Sequence, residues 1–131
     1  MEYQKSVIEL IQARYSCRSY SGEVLDPELL RKFEEKVADI ASDADIPARF
    51  VLLHADQHGM IDGKPAEKLG TYGMIQGART YLVGIMDKES DAGTALAFGT
   101  LFERMILAAT DLELDTCWMG GTFDKREFAL K

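Results

Sequence analysis

Arg14-Tyr15-Ser16-Cys17-Arg18-Ser19-Tyr20 is the stretch on which the reading of this chain turns. It follows a short amphipathic segment and precedes the Ser21-Gly22 punctuation of a loop. Two guanidiniums stand four residues apart, with the hydroxyls of Tyr15, Ser16 and Ser19 in and beside them. A guanidinium fork matches phosphate oxygens two at a time. Hydroxyls and backbone N–H groups of the same loop can satisfy the oxygens that remain. In a chain whose net charge is −7, such a local cationic patch reads as a ligand site. The alternative is that Arg14 and Arg18 are ordinary surface charges facing the many Glu and Asp side chains around them. Spacing alone leaves both readings open.

Working outward, the apolar residues Val7, Ile8, Leu10 and Ile11 recur at helical spacing and predict a helix over 4–13 whose stripe is core. Asp26-Pro27 marks a second helix start, with Asp to cap the free amides and Pro suited to the first turn. Leu29, Leu30, Phe33, Val37 and Ile40 then share one face to about residue 40, and the charges between them form a solvated face. Arg49 to His54 reads as a strand whose continuous apolar run suits a sheet buried on both faces, and Tyr81 to Met86 reads as another. Between them, Asp56 to Gly70 is a long polar excursion of the kind that borders binding sites. Gly73 and Gly77 are either turn residues or points of close backbone approach to a flat ligand.

Ser90-Asp91 predicts the cap of a long helix running to about Asp111. That helix is apolar nearly all round, so it calls for burial on every side. A small domain has little interior to offer, and the physical inference is that a second subunit covers one face. Glu103 and Arg104, near the middle, need partners or an exit to solvent. Leu114 to Trp118 reads as a short strand, Met119-Gly120-Gly121 as a turn, and Asp124 as the cap of a last helix.

Composition excludes several classes. The chain has 131 residues, 47% hydrophobic and 28% charged, which predicts one globular domain with a real core. Its acidic balance argues against nucleic acid or an anionic membrane as partner, since both need a basic face. Cys17 and Cys117 are the two cysteines; no secretory signal opens the sequence, and a reducing cytoplasm is the expected compartment. The longest apolar stretch, Ala92 to Ala109, contains the Glu103-Arg104 pair, which argues against a membrane span. His54 and His58 have a zinc-like spacing, but one falls at a strand end and the other in a loop, so no metal is expected. Asp43 and Asp45 lack a calcium-loop pattern. There is no nucleophile elbow and no dinucleotide fingerprint.

Three segments in order carry a resemblance. Ile11 to Tyr20 resembles the opening motif of the FMN-dependent nitroreductase family, Arg-x-Ser-x-Arg followed by an aromatic, directly after the first helix. Ile46-Pro47-Ala48-Arg49-Phe50-Val51-Leu52-Leu53 is similar to that family's Pro-x-x-Phe strand entry. Leu112 to Phe123 resembles its second flavin loop, where a long buried helix ends and small residues meet the flavin. The match spans nearly the whole chain. It implies an α+β fold, a mixed sheet flanked by helices, with the long central helix at a homodimer interface. It implies that Arg14 and Ser16, with Tyr15 beside them, hold the phosphate and ribityl end of FMN. Arg18 would lie by the pyrimidine edge of the ring, where a cation stabilises the reduced form. Met119, Gly120 and Gly121 would cover the other side with backbone. The implied activity takes hydride from NADH or NADPH and passes electrons to a small acceptor such as a nitroaromatic or a quinone. The flavin carries the chemistry, so no side-chain nucleophile or base is called for, and Cys17 sits at a filler position of the motif. Relatives of this kind are usually longer, which predicts a single domain over 1–131 that is short at its C-terminus. The rival expectation is a domain that dimerises or only binds flavin without catalysis.

Overall fold

The computed structural model describes residues 3–23, 25–56, 58–61, 63–65, 75–87 and 89–119. Along the chain these form α1 (Val7–Ala13), α2 (Pro27–Ala41), β1 (Ala48–His54), β2 (Met60–Ile61), β3 (Lys64–Pro65), β4 (Thr80–Met86) and α3 (Ala92–Asp111). The fold is α+β. β1 and β4 pair antiparallel, with Leu52 opposite Leu82 and His54 opposite Thr80, and β2 and β3 form a separate two-residue hairpin. Two isolated parallel bridges add to this, Ser16 with Thr116 and Ser19 with Gln76.

Local chemistry accounts for the helix ends. Ser6 caps α1 by accepting from the Glu9 amide, and Asp91 caps α3 by accepting from the Thr94 amide at 2.7 Å. The N–H bonds to the Asp91 carboxylate hold it below its usual range. Asp26 precedes α2 as expected, but its side chain makes no cap bond, and Pro27 alone marks the start. Arg31 pairs with Glu28 and Glu35 on the solvent face of α2. α3 closes in a Schellman pattern: the Glu113 amide donates to the Thr110 carbonyl and the Leu114 amide to the Ala109 carbonyl, each at 2.9 Å. Glu113 takes the left-handed conformation this requires, at φ 62°.

The core forms where α2 crosses α3 over one face of the β1–β4 pair. Phe33, Val37 and Ile40 meet Leu101, Met105, Ala108 and Ala109, with Phe50, Leu52 and Leu82 packed below them. On the other face, Leu53, Tyr81 and Val83 pack against Ala55 and Ile61. The continuous apolar run of β1 therefore meets apolar neighbours on both faces, although its residues remain half-buried. Gly84 of β4 lies under an aromatic cluster. Phe50 and Phe98 stack at 5.1 Å, and Phe102 meets both edge-on. A Cβ at Gly84 would sit 2.5 Å from Phe102 and 2.6 Å from Phe98, so only glycine lets these rings lie on the strand.

Two further expectations are corrected, the α1 stripe and the strand at 114–118. The α1 stripe is not core as a whole: Leu10 is fully buried against α3, but Val7, Ile8 and Ile11 stay exposed, because a seven-residue helix packs only one line of side chains on its neighbour. Within one chain α3 is buried over its second half, from Leu101 on, and Leu96, nearer its start, is 74% exposed. Residues 114–118 are not a strand but contribute the single bridge at Thr116. The expected helix after Asp124 lies outside the described residues.

The charged pair inside α3 has partners. Arg104 binds Asp43 of the loop after α2, and Glu103 accepts from the indole Nε1 of Trp118 at 2.9 Å. By length and composition α3 would pass for a membrane span, but its second half is the core of this fold. Its end also fixes the chain start. The buried Asp111 carboxylate accepts from the backbone amides of Gln4 and Lys5, and Tyr3 donates to the Arg104 carbonyl.

Gly84→Ala should destabilise the chain by about 1–3 kcal/mol through overpacking against the phenyl rings. Urea unfolding followed by far-UV circular dichroism would show a lower midpoint with an unchanged slope.

Candidate functional site

Asp111 and Leu10 fix α1 on α3, and the segment leaving α1 is thereby delivered beside the segment leaving α3. Ser16 bridges Thr116 in parallel, and the Cys17 amide donates to the Thr116 carbonyl at 2.9 Å. Arg14 reaches across the same junction. Its Nε donates to Thr116 Oγ1 at 3.3 Å and its Nη2 to Ser16 Oγ at 3.4 Å. The two segments singled out from the sequence, about one hundred residues apart, thus form one structure.

The far end of the first segment is fixed as well. The Tyr20 amide donates to the Gln76 carbonyl and the Gln76 amide to the Arg18 carbonyl, at 2.8 and 2.9 Å. Gly77, with φ +79°, stands so close that a Cβ would come within 2.3 Å of the Tyr20 carbonyl oxygen. Its glycine serves this backbone contact.

Against this junction lies a cavity of about 700 Å³. Its walls come from Ser19–Glu23, from Gly77–Gly84 of and before β4, from Phe102 and Ile106 of α3, and from Glu113–Met119. The volume is that of a site for a drug-sized or cofactor-sized molecule. Among the described lining residues Arg79 is the one cation, and Glu23, Asp26, Glu113 and Asp115, all exposed, contribute to the rim. Tyr20 lines the wall, and burial holds its phenol above the ordinary range. Trp118 lines it too, with its ring 4.7 Å from Phe102.

The residues expected from the sequence distribute as follows. Met119 lines the cavity, together with Thr116 and Cys117. Arg14 and Ser16 lie one hydrogen bond behind that wall, through Thr116. Tyr15 is exposed, and the Asp115 carboxylate, then Cys17, raises its phenol above the ordinary range. Arg18 is exposed, with no side-chain hydrogen bond among the described residues. Gly120 and Gly121 lie outside the described residues. Sequence reasoning missed Thr116, Arg79 and Trp118 as site residues. Thr116 and Trp118 had a signal, since both lie inside the resembling segment Leu112 to Phe123; Arg79 had none. His54 and His58 do not combine: the His54 Nδ1 is 2.7 Å from Thr80 Oγ1, and His58 donates its amide to Asp56. Among the described residues no group of three potential ligands is arranged for a metal.

Comparison with known proteins agrees with this geometry. A family profile described as "Putative TM nitroreductase" matches residues 6–131. A protein of Desulfovibrio desulfuricans, solved as a "putative nitroreductase in complex with FMN", superposes with a TM-score of 0.62 at 25% identity, over 89% of this chain and 69% of its own. A nitroreductase family protein of Clostridium difficile 630 gives a TM-score of 0.62 at 20% identity, over 97% of this chain and 77% of its own. One from Clostridium novyi NT gives 0.60 at 19% identity, over 97% and 73%. No functionally curated protein matches the sequence. With a profile match over nearly its whole length and this fold, the chain belongs to the nitroreductase family.

Proposed function

We propose that the chain binds FMN and acts as a cytoplasmic homodimeric oxidoreductase, taking hydride from NADH or NADPH and reducing a small acceptor such as a nitroaromatic or a quinone. The observation that carries this reading is the joining of residues 14–20 to residues 113–119 beside a cavity of about 700 Å³. The FMN complex of the Desulfovibrio relative supports the choice of cofactor.

The residues present fit the group. Among the described residues the Arg14 guanidinium binds only the neutral hydroxyls of Thr116 and Ser16, so its charge is not spent on a carboxylate. A phosphate suits the other side of Thr116, where Arg14 provides a cation and Ser16 a hydroxyl, with Tyr15 beside them. The uncharged ring system suits the cavity walls, where Leu82, Phe102, Ile106 and Trp118 offer apolar surface. When bound, the flavin supplies the hydride acceptance and electron transfer. The chain's part is to bind, orient and shield. Arg18, anchored through its carbonyl to Gln76, stands ready to hold negative charge at the pyrimidine edge. Met119 closes one wall.

A second copy of the chain would cover the apolar surface that a single copy leaves exposed. Leu96 of α3 and Val7, Ile8 and Ile11 of α1 are 47 to 74% exposed. Burial of such surface favours association at roughly 25 cal/mol per Å² of apolar area.

Arg14→Ala should weaken FMN binding by about 1.5–3 kcal/mol, the range for a lost hydrogen bond to a charged group. Quenching of FMN fluorescence on titration with protein measures it, and unchanged affinity would remove Arg14 from the phosphate site. Catalysis is tested separately. NADH or NADPH added without oxygen to the FMN-loaded chain should bleach the visible flavin band, and a nitroaromatic should restore it. A band that stays bleached-proof under both nicotinamides would leave a flavin-binding domain without reductase activity.

A further inference from the structure

The parallel bridge between Ser16 and Thr116 places the next pair of residues in register, and that pair is Cys17 and Cys117. The Cys17 amide, bonded to the Thr116 carbonyl at 2.9 Å, confirms the register at that step. Neighbouring extended segments lie about 4.7–4.9 Å apart, inside the Cα separation that a disulfide spans.

The side chains alternate as the register requires. Arg14 donates to both Ser16 and Thr116 on one face of the junction. Tyr15 interacts with both Asp115 and Cys17, and all three fall on the opposite face by the alternation. Cys117, two residues after Asp115 and one after Thr116, falls on the face of Cys17. The Tyr20 phenol gives independent support, because both sulfurs act on it. Each thiol is free and half-buried, Cys17 Sγ donating to the Ser19 carbonyl at 3.2 Å and Cys117 Sγ to the Trp118 carbonyl at 3.5 Å.

We propose that Cys17 and Cys117 are a redox-sensitive pair that closes into an intramolecular disulfide in the presence of a hydroperoxide. The thiolate of one cysteine attacks the peroxide. A sulfur–oxygen bond forms, the oxygen–oxygen bond breaks, the other peroxide oxygen leaves as alkoxide or hydroxide and takes a proton from water, and a sulfenic acid is left. The thiolate of the other attacks that sulfur, the sulfur–sulfur bond forms, and hydroxide leaves and is protonated to water. The two sulfurs together lose two electrons and the peroxide gains them. The bond joins the segment after α1 to the segment after α3 at the point where a backbone bridge already joins them. A thiol reductant reopens it. Transient disulfides of this sort occur in reducing compartments where stable ones do not.

The test uses the whole chain, treated with hydrogen peroxide in slight excess, blocked with N-ethylmaleimide, digested and mapped by mass spectrometry. The expected result is one linked peptide joining Cys17 to Cys117, lighter than its parts by two hydrogens, from monomeric protein. Both thiols should disappear together and return together on treatment with dithiothreitol. Cys17→Ser and Cys117→Ser should each abolish the linked peptide while leaving the other thiol open to alkylation. Alkylation of both cysteines after peroxide, separate oxidation of each to a sulfinic acid, or linkage only between two copies of the chain would each overturn the proposal.

Discussion

A twenty-residue apolar helix has to be buried in a small chain, and most of the structure follows from how that is done. The second half of α3 is covered by α2 on one side and by the β1–β4 pair on the other. Gly84 is the concession the sheet makes to it, since the Phe98 and Phe102 rings occupy the space of a side chain. Asp111 is the concession at its end. A carboxylate is buried there because two backbone amides from the start of the chain need an acceptor. Without that anchor, α1 would hold to α3 by little more than Leu10.

The site is a by-product of this arrangement. Once both helices are fixed, the segments that leave them run side by side, and the Ser16–Thr116 bridge is the result. The cations of the first segment come to lie behind a wall contributed by the second, and the cavity opens on the other side of that wall. Arg14 with the hydroxyls of Ser16 and Thr116 lies at that wall, and the rings of Phe102 and Trp118 line the cavity. This partition suits a ligand with one anionic end and one flat, uncharged body.

Much of this was legible in the sequence, and the reasons are physical. Pro27, the Asp91 cap and the periodicity of α2 are local signals, and they placed two helices to within a residue or two. The apolar runs of β1 and β4 were long enough to be unmistakable. The order of three short segments was enough to name the family. The fate of Val7, Ile8 and Ile11 was not legible, because periodicity shows that a helix has an apolar side but not how much of it a neighbour covers. The strand expected at 114–118 is reduced to a single bridge at Thr116, since the Schellman turn through Glu113 takes up the residues just before it. Arg79 carries no motif at all; it joins the site only because β4 forms a cavity wall.

The most direct measurement is a visible spectrum of the purified chain after mixing with FMN and gel filtration. A flavin band that travels with the protein, in a peak of dimer size, is the expected result, since the cation cluster and the cavity belong to this chain and the exposed apolar surface calls for a second copy. Free FMN eluting apart from the protein would contradict the account, because it would mean that the joined segments do not make a flavin site.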